Sequence, residues 1–215
     1  MPNNIEAHTA LIELHYFPCI AWFAQLLRFD TIMLETQESF LKQSYRNRCY
    51  IQTANKVTAL SVPVKGSSKQ PISEIEIDYS QRWTDIHWRT IQSGYGNAPY
   101  FEFFENDIRQ ILEAKPSRLL DLNKLVLTNC LKLLNIKINL EYSQTFEKQT
   151  ERGVTDLRNS IRPNKSLPDS LEFDPMSYYQ VFGADFVNNL SILDLLFCEG
   201  PQAKSLLMAS IKKKH

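Results

Sequence analysis

The chain has 215 residues, 24 Lys plus Arg against 24 Asp plus Glu, and 43% hydrophobic residues. A length of that order suits one globular domain, and the composition excludes a disordered chain. The zero net charge argues against a nucleic-acid coat protein, so no nucleic-acid partner is expected. No apolar run reaches about 18 residues, so no membrane insertion is expected. Met1-Pro2-Asn3-Asn4-Ile5-Glu6 has neither a basic region nor a leader-like apolar run. Cys19, Cys49, Cys130 and Cys198 are widely spaced and form no C-x-x-C, which reads as four reduced, buried thiols rather than a zinc ribbon or redox motif. Reduced thiols without a leader favour the cytoplasm.

In chain order, residues 11–17 (LIELHYF) read as a strand ended by Pro18, residues 19–28 as a helix, and residues 31–35 (TIMLE) as a second strand. Strand, short helix and strand make a βαβ-like start with a parallel pair, and Pro18 suits the first turn of the helix. Residues 48–53 and 57–64 read as strands joined by Ala54-Asn55-Lys56, and the alternating residues 72–79 (ISEIEIDY) as another. Helical spacing follows over residues 83–93, 100–114 and 119–134, with Lys132 near the end of the third. Residues 136–142 alternate as a strand. Residues 146–175, polar and broken by Pro163, Pro168 and Pro175, read as a long flexible connection. Residues 190–197 (LSILDLLF) read as an apolar helix stopped by Gly200-Pro201, and residues 209–215 as a frayed basic tail. The fold class that follows is α/β: one domain over 1–215, with a mixed sheet, the βαβ-like start and a helical middle.

Charge is unevenly placed. Residues 39–73 carry Lys42, Arg46, Arg48, Lys56, Lys65 and Lys69 without an acid, whereas residues 74–113 carry eight acids against Arg82, Arg89 and Arg109. Lys42, Tyr45, Arg46, Asn47 and Arg48 concentrate guanidinium forks and an amide in one segment, which suits a phosphate or carboxylate. In a strand Arg46 and Arg48 would share a face, and Lys65 is placed to join them.

Tyr16-Phe17-Pro18, Trp22-Phe23, the run from Lys42 to Ile51 (KQSYRNRCYI), Leu60-Ser61-Val62-Pro63-Val64, Asp78-Tyr79, Trp83 and His87-Trp88 follow one another in an order that resembles the WbqC-like family. Tyr178-Tyr179-Gln180-Val181-Phe182 and the run from Asn189 to Phe197 (NLSILDLLF) resemble the C-terminal part of its shorter, Bacteroidetes-type members. The resemblance implies a bacterial cytoplasmic protein, some relatives of which are encoded in O-antigen or other surface-polysaccharide clusters. It also implies transfer of glycine or another small acyl or aminoacyl group. Many relatives carry His-Gln-Pro just before the Phe/Tyr-Pro element; here Glu13-Leu14-His15 stands there without the Gln.

Three chemistries are weighed. His87, in Trp83-x-x-x-His87-Trp88, is the leading general base because an imidazole titrates near neutrality; a packed core histidine is the bland alternative. His15 with Cys19 could form a base and thiol nucleophile, since a helix start lowers a thiol pKa. A nucleotidylyltransferase-like start lacks H-x-G-H, and no P-loop, Rossmann, zincin or hydrolase motif occurs. No metal-ligand spacing is visible, and the cofactor is open, with an activated acyl or nucleotide donor in view. Asp194, inside an apolar helix, needs a partner, with Arg46 or Arg48 expected. The leading function is an acyl or aminoacyl transferase acting on a small anionic substrate. The alternative is a non-catalytic module binding a nucleotide, sugar phosphate or partner protein.

Overall fold

The computed structural model describes residues 8–182 and 185–212; Met1 to Glu6 and the last three residues of the basic tail lie outside them. The chain starts as read. Strand β1 (Thr9–Glu13), helix α1 (Ile20–Leu26) and strand β2 (Thr31–Glu35) form a βαβ unit. The two strands are parallel and in register from Thr9 opposite Thr31 to Glu13 opposite Glu35. An antiparallel ribbon follows, β3 (Arg48–Gln52) with β4 (Val57–Ser61), then a two-residue ribbon, β5 (Val64–Lys65) with β6 (Glu76–Ile77). The helical middle is α2 (Trp83–Tyr95), α3 (Phe101–Glu113) and α4 (Leu119–Leu133). Strands β7 (Asn139–Tyr142) and β8 (Val154–Asp156) then complete a four-stranded parallel sheet in the order β7-β2-β1-β8. Helices α5 (Ile192–Glu199) and α6 (Ala203–Ala209) close the chain. Among the described residues no helix is long and apolar enough to cross a membrane.

Alternation along the strands sorts the side chains. Ala10, Ile12, Ile32 and Leu34 are fully buried in the core, and α1, α5 and α6 pack on one another there. Leu11, Glu13, Met33 and Glu35 point to the other face, and residues 143–151 lie over part of it. Two acids therefore finish adjacent strands side by side at the carboxyl end of the sheet. Distant chain also completes α1, which Cys19 starts without a side-chain cap. The Ile20 N–H donates to the Leu190 carbonyl at 3.0 Å and the Ala21 N–H to Asn189 Oδ1 at 2.9 Å, satisfying donors that a helix start leaves free.

Several expectations need correction. The first strand stops at Glu13, because residues 14–18 turn inward and Phe17 has φ of 40°. Pro18 precedes the Cys19 cap instead of sitting in the first turn. The 72–79 stretch is a 3-10 turn (Ile72–Glu74) and the short β6; the Ile72 N–H goes to the Glu38 carbonyl and Ile75 closes back on Ile72, leaving few groups for a ladder. Residues 146–175 are more than a connection. They contribute β8, whose exposed Thr155 and Asp156 hid it from a hydropathy reading, and a 3-10 turn, Asp169–Leu171. The described part of the tail is tied down: Ile211 bridges Phe173, and the Lys212 N–H donates to the Glu172 carbonyl at 2.7 Å.

Leu34, with no exposed surface, sits where sheet and helices meet. Leu34→Ala should cost about 3 kcal/mol and lower Tm by about 10 °C, read by thermal denaturation.

Candidate functional site

The carboxyl end of the parallel sheet holds a buried charge network. Glu13 and Glu35 end β1 and β2, and both are 1% exposed. Glu13 receives three groups: the His15 ring, with Nε2 at 3.1 Å from Oε1; the Asn159 N–H, at 2.9 Å from Oε2; and Arg46 Nη1, at 3.7 Å. Arg46 donates from Nε to Glu38 Oε1 at 2.7 Å and from Nη2 to Glu38 Oε2, and also to Asn159 Oδ1 at 3.1 Å. The loop after β8 thus closes on the end of β1, with Asn159 in the left-handed region at φ of 59°, which asparagine tolerates. Next door, Arg158 Nη1 donates to Glu35 Oε2 at 2.9 Å, and Ser143 Oγ donates to Glu35 Oε1 at 2.7 Å.

Electrostatics set the protonation states. Burial would raise Glu13, but the His15 hydrogen bond, the Arg46 charge and the Asn159 N–H outweigh it and hold the carboxyl down at about 2. Burial pushes His15 below its usual range despite the opposite pull of Glu13. A neutral imidazole donating from Nε2 to an ionised carboxylate leaves Nδ1 as an acceptor. That Nδ1 is buried and has no partner. Arg46 stays charged, because Glu38 and Glu13 outweigh the burial that works against it.

Tyr45 connects this network to the surface. Its ring stacks on His15 at 5.2 Å and 26°, and it also lines a groove of about 200 Å³ with Tyr50, Val57, Arg162 and Lys165. Arg48 and Tyr50 project from one face of β3, and of the two Tyr50 lines the groove. Phe17, fully buried beside His15 at φ of 40°, is a strained non-glycine residue, a feature that clusters at functional sites.

Of the singled-out residues, His15, Tyr45 and Arg46 come together at this end of the sheet, and Arg48 opens β3 two residues on. Arg46 is not the strand-mate of Arg48: it precedes β3, 2% exposed, with its fork taken by Glu38. Asn47 is committed through Nδ2 to the Val62 carbonyl at 3.0 Å. Lys42 is exposed on the preceding turn, and Lys65 lies on β5, where its charge helps the Ser80 hydrogen bonds lower Asp78. Cys19 is no low-pKa thiol, because burial pushes it up to about 12. His87 is a core residue, with Tyr16 Oη at 2.9 Å from Nδ1 and burial taking it down to about 4. Arg162 and Lys165, which line the groove, lie in the polar, proline-broken 146–175 stretch, where an Arg-x-x-Lys pair around Asn164 is their local signal. Among the described residues no group of three or more His, Cys, Asp or Glu is placed to hold a metal ion.

Asp194 has neither expected arginine as partner. Its carboxylate accepts from Tyr95 Oη at 2.8 Å, Gln180 Nε2 at 2.9 Å and Tyr178 Oη. Burial raises its pKa against those three hydrogen bonds. Gln180 also bonds both backbone groups of Val187, each at 2.9 Å, so a buried acid holds the segment whose end lines the groove.

Two outcomes follow. The folded value of His87 near 4 lies below the unfolded value of about 6.5, so its contribution to stability is complete above pH 6.5 and is lost as pH falls towards 4. It amounts to about 3 kcal/mol, and urea titrations from pH 7 to 4 should show a shallower decline for His87→Gln than for wild type. Asp194→Asn should speed amide exchange at 178–182 by at least about tenfold through the lost acceptor, while β1 and β2 keep their protection.

The model of the WbqC-like protein family matches residues 14–167, a span that begins just after β1 and takes in His15, Glu35, Glu38, Arg46, Arg158 and Asn159 of the charge network and the Arg162-to-Lys165 stretch. The chain is also 28% identical over 224 residues to the uncharacterized protein Rv1507c of Mycobacterium tuberculosis (strain ATCC 25618 / H37Rv), covering 92% of this chain and 96% of that one. No solved structure matches. With a match over well more than half its length, the chain belongs to the WbqC-like protein family.

Proposed function

We propose that this chain is a cytoplasmic group-transfer enzyme that moves glycine or another small acyl or aminoacyl group from an activated donor onto an anionic glycan precursor. The observation that carries the reading is the buried Glu13–His15 pair with His15 Nδ1 unpartnered. A histidine oriented by a carboxylate through one nitrogen and open at the other is the arrangement general-base chemistry needs. It stands at the carboxyl ends of parallel strands, where open α/β sheets bind ligands.

In this reading His15 is the base in place of His87, which is committed to Tyr16. His15 Nδ1 takes the proton of the acceptor hydroxyl or amine as that atom bonds to the acyl carbon. The donor's leaving group departs with the bonding electron pair and receives the proton back from the imidazolium. Glu13 steadies the imidazolium between those steps. Tyr45 must leave its stack on His15 for the substrate to arrive, so it acts as a door. Arg48, Arg162 and Lys165 hold the anion, while Arg46 positions Glu13. The surface-polysaccharide setting and the acyl class come from the family resemblance.

The full burial of His15 favours a second reading, a module that binds the same anion without turnover. A transfer assay with acyl and aminoacyl donors and glycan-precursor acceptors separates them. His15→Gln should cut the rate by at least about 100-fold while leaving ligand-induced thermal stabilisation intact. The wild-type rate should fall in acid with an apparent pKa below 6.5, as burial of His15 dictates. An unchanged rate in His15→Gln sinks the base assignment, and stabilisation without transfer from any donor supports the binding module.

A further inference from the structure

Beside Tyr45 the groove continues into a wider lobe of about 410 Å³, walled by Ser166, Leu167, Phe173 and Pro175. Lys165, Asn188 and Asn189 belong to both lobes. We infer that this groove binds an organic phosphate, with its phosphate between Arg162 and Lys165 and a hydroxyl-bearing body in the wider lobe. The use of that ligand as substrate rests on the transfer reading; the site itself does not.

Charge makes the first argument. Arg46 and Arg158 are neutralised by Glu38, Glu13, Glu35 and Asp156. Arg162, Lys165 and Arg48 make no ion pair among the described residues: Arg162 Nε donates only to the Asn159 carbonyl at 2.9 Å, and Arg48 Nε is buried without a partner. No Asp or Glu lines either lobe. Two unpaired cations over-compensate one carboxylate, whereas a phosphate monoester carries about 1.5–2 negative charges and accepts guanidinium forks.

Shape and lining make the second. The narrow lobe, about 200 Å³, suits the charged end, and the two lobes together fall within the range of about 300–1,000 Å³ typical of small-molecule sites. Asn164, Asn188 and Ser166 offer donors and acceptors for hydroxyls, while Leu167, Phe173 and Pro175 offer an apolar face for a sugar ring or base. Tyr45 forms part of the narrow lobe's lining, so a phosphate seated there brings the rest of the molecule alongside the ring that covers His15.

Isothermal titration of the full chain at fixed ionic strength tests this with glucose 1-phosphate, uridine diphosphate, inorganic phosphate and glycine as probes. At least one organic phosphate should bind tenfold or more tighter than inorganic phosphate, with glycine silent, and the sugar and nucleoside arms then name the body. The Arg162→Gln, Lys165→Gln double variant should weaken that binding at least 30-fold. Both side chains are exposed, so the fold should persist, checked by circular dichroism. Equal affinity for inorganic and organic phosphates, binding of glycine alone, or unchanged affinity in the double variant overturns the inference. His15→Gln keeps the two claims apart. If the double variant loses the phosphate but His15→Gln still turns over normally, the site stands and the base assignment falls. If His15→Gln loses turnover while the double variant binds like wild type, the site falls and the transfer reading stands.

Discussion

The guanidinium of Arg46 is the piece on which this architecture depends. It sits almost entirely out of water and faces two acids, Glu38 through its fork and Glu13 at 3.7 Å. Its backbone carbonyl accepts from Asn123 Nδ2 on α4 at 2.8 Å. One residue thus ties together the end of the first strand, the loop after the second, the turn after the fourth strand of the parallel sheet and the longest helix. Desolvating so many charges is costly, and removing one partner from such a group typically costs about 3–5 kcal/mol because the others stay buried and uncompensated. A network of this kind adds little to stability over an apolar core. What it gives is a fixed geometry for His15, which has no room to rotate between the Glu13 carboxylate and the rings of Trp22 and Tyr45.

The same end of the molecule combines two kinds of cation. Arg46 and Arg158 are spent on internal acids and shape the floor. Arg162 and Lys165, which line the groove, make no ion pair among the described residues. Pro175, Val187, Asn188 and Asn189 help wall the groove, and Asp194 holds the neighbouring Tyr178 and Gln180.

Much of this was legible in the chain. The βαβ start and the three middle helices follow from apolar spacing, because one face of each is buried against the core. The failures have physical causes. β8 pairs only along one side, with Thr155 and Asp156 in water, so it carries no hydrophobic signature. The basic window begins one residue after Glu38, the acid that neutralises Arg46, and nothing local shows that Arg46 turns fully inward while Arg48 is only half-buried. His15 and His87 are both buried beside aromatic rings; what separates them is the unsatisfied nitrogen of one and the tyrosine partner of the other, a difference fixed by residues as much as 71 positions apart. Asp194 was rightly expected to need partners, yet neutral hydroxyls and an amide met that need.

The pairing of β1 with β8 has a consequence for synthesis. Thr9 lies beside Val154 and Leu11 beside Asp156, so β1 finds one of its neighbours only after some 145 further residues have been made, about 7–30 s at ordinary elongation rates. Until then Glu13 and Arg46 lack Asn159, and one edge of β1 is open to other strands, a known route to misassembly. The charges that fix the finished site also keep that waiting edge polar at its carboxyl end, where a purely apolar strand end would be far more adhesive. Long-range parallel pairing of this kind folds slowly, and the nascent chain is best protected at the end of the sheet where the mature protein concentrates its buried charges.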